Sequence, residues 1–220
     1  MSGRAFDLVV FDWDGTLMDS AGRIVACLRS AIADLGWEPR PNEVLRDIIG
    51  LSLTDACNRL YPGAPPGAGE RLLAAYRHYY FSSLHEPERP FPGAEAVLAE
   101  LTERGFLLAI ATGKGRAGLD RALRESGLRR YFDASRCADE SAPKPHPRML
   151  LDLMEEFAMP PARTLMVGDT EYDLSMARDA GVAAVAAAYG AHAPERLLAY
   201  RPLACLHSIA ELPALLARLR

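Results

Sequence analysis

Two aspartates stand two residues apart at the end of an apolar run in FDWDGTLMDS, residues 11–20, and Gly15-Thr16 follow at once. Like charges that close are costly in a poorly solvated site unless a cation or a proton offsets them. Asp12 and Asp14 therefore either face water or belong to a bound ligand. Other polar residues also follow apolar stretches: Thr112-Gly113-Lys114 after LLAIA, and Asp169 and Asp173 in GDTEYD after RTLMV, with Lys144 in the loop APKPHP. A positioned carboxylate can attack phosphorus, which repels external nucleophiles through the ester's own charge. Hydroxyl and ammonium groups can offset charge on a phosphoryl group, and an all-oxygen acid set suits a hard cation such as Mg²⁺.

The elements that must position these residues are short β-type runs at 7–11, 106–111, 163–167 and 182–187, with weaker ones near 132–135 and 203–206. Helical patterns lie between them: 94–104, 119–126 and 173–180, followed by Gly105, Gly127 and Gly181 as left-handed stops. Strands alternating with such helices predict right-handed βαβ units and an α/β fold with a doubly wound, mostly parallel sheet. In an open parallel sheet, ligands sit outside the carboxyl ends of the strands, and the acids, the threonine and the lysine converge there. One stretch breaks the alternation. From about Ser20 to Glu88 only helical patterns occur, separated by GWEPRPNE and YPGAPPGAGE, and the chain returns through HEPERPFPG. This divides the chain into a core, 1–18 and 89–220, and an inserted all-helical domain, 19–88.

The set resembles the haloacid dehalogenase superfamily, whose four motifs occur in this order: DWDGT, then Thr112, Lys144 and GDTEYD. A lone D-x-D is weak, but all four at these distances are specific. The resemblance implies Mg²⁺ held by Asp12, the backbone carbonyl of Asp14 and the Asp169 side chain, with Asp12 as nucleophile. Asp14 is suited to protonate the leaving oxygen and then deprotonate water, and its presence favours phosphate-ester hydrolysis over dehalogenation. Thr112 would donate to a phosphate oxygen, Lys144 would neutralise Asp12 and the phosphoryl group, and loop amides after Asp12 would form an anion nest. Asp173 either orients Lys144 or a metal-bound water, or only favours the start of its helix. The helical insertion resembles a cap that excludes water and selects substrate. The chain as a whole resembles the phosphoglycolate phosphatase-like group, although the second motif reads Thr112-Gly113-Lys114 where many of those enzymes have asparagine in the middle. The function so implied is a Mg²⁺-dependent phosphatase acting through an aspartyl-phosphate; a phosphosugar mutase or small pyrophosphatase would use the same residues.

At 220 residues with a formal net charge of −4, the chain can bury a sizeable core and carries no basic footprint for nucleic acid or an anionic membrane. The expected partner is a small phosphorylated metabolite, the expected state a monomer or homodimer, and the expected address the cytoplasm, since no apolar run is long enough to span a bilayer. Cys27, Cys57, Cys137 and Cys205 are isolated and read as small buried hydrophobes. Ser20 reads as a helix cap, His146 as a turn residue, and the aromatic residues around Tyr76 to Phe81 as core of the insertion. For selectivity, Arg23 in the first turn after the hinge and Lys114 are expected to favour an extra negative charge on the substrate, with Ser52 trimming its size, along with contacts from Thr112, Gly113 and Lys144. Solvated surface cations are the competing reading for Arg23 and Lys114.

Overall fold

The computed structural model describes residues 4–82 and 88–219. The chain begins with β1 (Leu8–Phe11) and a two-residue β2 (Met18–Asp19), then runs through four helices, α1 (Ala21–Asp34), α2 (Asn42–Asp47), α3 (Leu53–Leu60) and α4 (Ala68–Phe81). It returns by a second two-residue strand, β3 (Arg89–Pro90), which pairs antiparallel with β2, so exit and return lie side by side. Residues 85–87 of the return segment HEPERPFPG lie outside the described residues. The rest alternates: α5 (Ala94–Glu103), β4 (Leu107–Thr112), α6 (Arg116–Ser126), β5 (Ala134–Cys137), α7 (Arg148–Glu156), β6 (Thr164–Gly168), α8 (Glu171–Asp179), β7 (Ala183–Ala187), α9 (Pro194–Leu198), β8 (Cys205–Leu206) and α10 (Leu212–Arg218).

Six of these strands form one parallel sheet in the order β5-β4-β1-β6-β7-β8. Side chains alternate across it, as the two-residue strand period requires. Val9, Phe11, Leu108, Ile110, Leu165 and Val167 face the layer of α5, α6 and α10, while Leu8, Val10, Ala109 and Met166 face α7 and α8. Both faces are covered, which is why the strands read as continuous apolar runs. Gly105, Gly127 and Gly181 all adopt positive φ after their helices. Two helices start earlier than their apolar patterns suggest, α6 at Arg116 and α8 at Glu171; for α8 the cause is a capping box closed by Thr170.

The four inserted helices have a core of their own, in which Ile24, Leu28 and Ile32 of α1 meet Leu45, Ile48, Cys57 and Leu72. Cys27, Cys57 and Cys137 are buried, Cys205 is half-buried, and all four are free. No described helix is long and apolar enough to cross a membrane.

Candidate active site

Asp12 follows β1 directly, and its backbone N–H donates to Val167 across the sheet at 2.9 Å. Its side chain is buried. Oδ1 accepts from Lys144 Nζ at 2.6 Å, whereas Oδ2 has no hydrogen-bond partner among the described residues. Lys144 Nζ lies equally close, 2.6 Å, to Asp173 Oδ1, so a single buried ammonium bridges two acids from different elements. The other Asp173 oxygen accepts from the Thr170 N–H at 3.0 Å and the Thr170 hydroxyl at 2.7 Å. Asp173 thus caps the start of α8 through one oxygen and meets Lys144 with the other.

Asp169, fully buried, follows β6. Its Oδ1 accepts from the Thr16 hydroxyl at 2.7 Å and its Oδ2 from the Ala191 N–H at 2.7 Å. Two glycines permit this approach: a Cβ on Gly15, whose φ is +87°, would stand 2.1 Å from Asp169 Oδ2, and one on Gly190 would stand 2.2 Å from Asp169 Cβ. Carboxylate oxygens of Asp12, Asp169 and Asp173 lie within 4.8 Å of one another. Burial pushes the Asp12 carboxyl well above its usual range, with Lys144 opposing and Asp173 and Asp169 adding to the rise. Burial, then the charge of Asp173, raises Asp169 to about 7. Burial works to lower Lys144, but Asp12 and Asp173 outweigh it and hold the ammonium above its ordinary value. Negative charge is in excess here, and an unpartnered buried carboxylate oxygen opens onto it. The donor set fits a hard divalent cation.

Asp14 lies on the same loop with a different set of contacts. Its Oδ1 accepts from the Ser20 hydroxyl at 2.7 Å, and its Oδ2 pairs with Lys114 Nζ at 3.0 Å. Ser20 therefore occupies the position preceding α1 but makes no side-chain cap, because its hydroxyl is turned to Asp14. The anion nest is also narrower than expected. The N–H groups of Gly15, Leu17 and Met18 donate within the loop, to Met18 and Trp13 carbonyls. Thr112, at the end of β4, is buried, and its hydroxyl accepts from the Lys114 N–H at 3.1 Å.

Between the sheet edge and the insertion lies a cavity of about 450 Å³, which Asp12, Asp14, Thr112, Gly113, Lys114 and Ser52 all help to line. Lys114 is no surface cation: its ammonium donates to the Tyr80 hydroxyl at 2.9 Å and sits 4.5 Å from that ring's centre, and Tyr80 in turn donates to Glu88 at 2.7 Å. Arg23 does not line the cavity. It donates to the Tyr80 carbonyl at 2.7 Å and lies over the Tyr80 ring at 4.9 Å, so it supports the wall from behind. Ser52 caps α3, accepting from the Asp55 N–H at 3.1 Å and donating to the Asp55 carboxylate at 2.5 Å. The aromatic residues of α4 are more than core, since Tyr76, Tyr80 and Phe81 line the cavity. His146 accepts from the Arg148 N–H at 3.1 Å in its turn, as expected.

Sequence reasoning missed Thr16, Ala191, Tyr80 and Glu88 as parts of this arrangement. Thr16 was visible as part of DWDGT. Tyr80 lay in an aromatic helix segment with nothing to separate a lining from a packed ring, and no local signal marks a backbone N–H such as that of Ala191.

A parallel sheet bearing this loop, with a lysine bridging the first and last acids, defines a haloacid dehalogenase-like hydrolase. The model of the haloacid dehalogenase-like hydrolase family matches residues 9–187, and the chain belongs to that family. Among its relatives, the protein named "Probable phosphatase IndB" of Dickeya dadantii is 39% identical over 93% of this chain and 90% of that protein. The phosphoglycolate phosphatase of Agrobacterium fabrum is 31% identical over 83% of this chain and 81% of that one. The fold is shared with a haloacid dehalogenase-like hydrolase from Streptococcus pneumoniae, at a TM-score of 0.83, 23% identity and coverage of 96% of this chain and 98% of that one.

Proposed function

We propose that this chain is a Mg²⁺-dependent phosphomonoester hydrolase working through an aspartyl-phosphate, with residues 19–88 as cap over a catalytic core of 1–18 and 89–220. The reading rests above all on Asp12: one oxygen is fixed by Lys144, the other is buried without a partner among the described residues, and the residue lines the cavity. A carboxylate held in this way, with one oxygen uncommitted, is suited to act as the nucleophile. The names of the relatives, a phosphatase and phosphoglycolate phosphatases, support the same class.

Asp12, the Asp14 carbonyl and Asp169 would hold Mg²⁺, which supplies positive charge against the phosphoryl oxygens and the attacking carboxylate. Asp12 attacks phosphorus, the ester P–O bond breaks, and Asp14 gives its proton to the departing alkoxide. Water then attacks phosphorus of the aspartyl-phosphate, Asp14 takes its proton, and the P–O bond to Asp12 breaks, releasing phosphate. Lys144 neutralises Asp12 and an adjoining phosphoryl oxygen throughout, held in place by Asp173. Thr112 offers its hydroxyl proton to another phosphoryl oxygen, and the cap excludes water from the first step.

Phosphate release from a panel of phosphorylated metabolites, acting as a small-molecule substrate set, tests the reading. EDTA should stop release, Mg²⁺ should restore it, and Ca²⁺ should inhibit, because its looser shell misplaces the nucleophile. Asp12→Asn should lower turnover at least about a thousand-fold. Full activity after exhaustive chelation, or in the variant, defeats it.

A further inference from the structure

We infer that the ester this site is built for carries an uncharged, largely apolar body with a planar ring, and no second anionic group beyond the phosphate. The inference rests on the phosphatase reading and narrows its substrate. Three features of the cavity carry it.

The first is its size. About 450 Å³ lies in the range of pockets that enclose a ligand of drug-like dimensions, well beyond the needs of a two-carbon phosphoacid. The loop at Gly50 and Leu51 already rests on Gly113, where a Cβ would stand 2.4 Å from the Gly50 carbonyl oxygen. The cavity is therefore the space that remains with the insertion seated on the core.

The second is the wall. The insertion lines the cavity with Leu28, Ile49, Leu51 and Leu73 and the rings of Tyr76 and Tyr80, beside Ser52, Thr54, Asp55 and Arg77. These two rings stack on each other, centroids 5.4 Å apart and planes at 23°. A carboxylate against the leucine and isoleucine side chains would lose its hydration, whereas a flat apolar group gains by burial there and by stacking on the rings.

The third is charge. Beyond Asp12, the cavity-lining side chains with charge are Lys114 and Arg77 against Asp14, Asp55 and Asp139. Lys114 already faces Asp14 at 3.0 Å and the Tyr80 hydroxyl at 2.9 Å, and Glu88 accepts from that hydroxyl. A second anion on the substrate would have to displace Asp14 from its cation and would meet more carboxylates than cations. Arg77 is exposed, where a charge contact is weak. The expectation that Lys114 selects an additional negative charge runs against this inference, because the ammonium is held by Asp14 and Tyr80.

Three unactivated alkyl phosphates separate the possibilities: phenethyl phosphate, glycerol phosphate and phosphoglycolate, each assayed with Mg²⁺ for phosphate release. Phenethyl phosphate should have a kcat/KM at least about ten-fold above that of phosphoglycolate, the scale of a filled against an empty apolar pocket. Phenethyl alcohol, which has no phosphate, should compete with the ester. Leu73→Arg should lower kcat/KM for phenethyl phosphate by about ten-fold or more and raise it for phosphoglycolate. Phosphoglycolate equal to or better than phenethyl phosphate in the unmodified protein overturns the inference and leaves the phosphatase reading standing. Release from none of the three esters overturns the phosphatase reading itself.

Discussion

Lys114 Nζ lies 3.0 Å from Asp14 Oδ2, and the same ammonium donates to the Tyr80 hydroxyl of α4. An acid from the first loop and a phenol from the insertion thus share one cation. Burial opposes the charge on Lys114, but Asp14 leads the groups that hold its pKa well above the ordinary lysine value. The ammonium stays charged at any working pH, and with Ser20 on its other oxygen Asp14 is fixed in orientation from both sides.

Asp14→Asn keeps the side-chain size and the backbone carbonyl but loses the proton carrier and the charge that pairs with Lys114. Both chemical steps should slow by roughly 10²–10⁴, and phosphate should accumulate on the protein in rapid-quench experiments with an activated ester. Normal kinetics on unactivated esters would sink the acid–base role.

Thr16→Val removes the 2.7 Å hydrogen bond to Asp169 at nearly constant volume. Partners that orient a metal-binding carboxylate are commonly worth about ten- to a hundred-fold in affinity, and calorimetric Mg²⁺ titration should read a loss on that scale. Unchanged affinity would remove Asp169 from the ion.

Asp169 predicts opposite pH trends with and without metal. The unfolded chain releases this proton near 3.8, whereas the folded, metal-free protein keeps it to about 7. Between those values the folded state binds more protons, so this group makes metal-free stability fall as pH rises. Mg²⁺ affinity should move the other way, weakening as pH drops below about 7 because the ion competes with the proton. Thermal melts with EDTA, and Mg²⁺ titrations at matched pH, check both signs.

Gly113→Ala should act on the insertion more than on the core. Its new Cβ would strike the backbone carbonyl oxygens of Gly50 and Leu51, so the loop that carries them must shift. The variant should lose about ten-fold or more in kcat/KM with a midpoint within a few degrees of the parent. A large fall in the melting temperature with unaltered kinetics would contradict that assignment.

The sheet and its acids were legible because each depends on local pattern: buried parallel strands leave apolar runs, and DWDGT and GDTEYD fall where those runs end. What crosses between segments was not. Ser20 looks like a helix cap until its hydroxyl is found on Asp14, and Lys114 looks like a surface lysine until α4 places Tyr80 against it. Ser52 has only a loop position to recommend it, and its hydroxyl is engaged by Asp55 three residues on. Helical spacing indicates which α4 residues share a face, but it does not distinguish packing from a lined cavity.

The crowding of Asp169 by Gly15 and Gly190 divides the protein into parts with unequal freedom to change. Any side chain at either glycine would have to move the carboxylate, so the region around the acids offers almost no neutral neighbours in sequence space. The opposite wall, at positions such as Leu51 and Leu73, is free of that restriction. A library confined to those wall positions should accordingly retain hydrolysis in many of its members while redistributing what is hydrolysed.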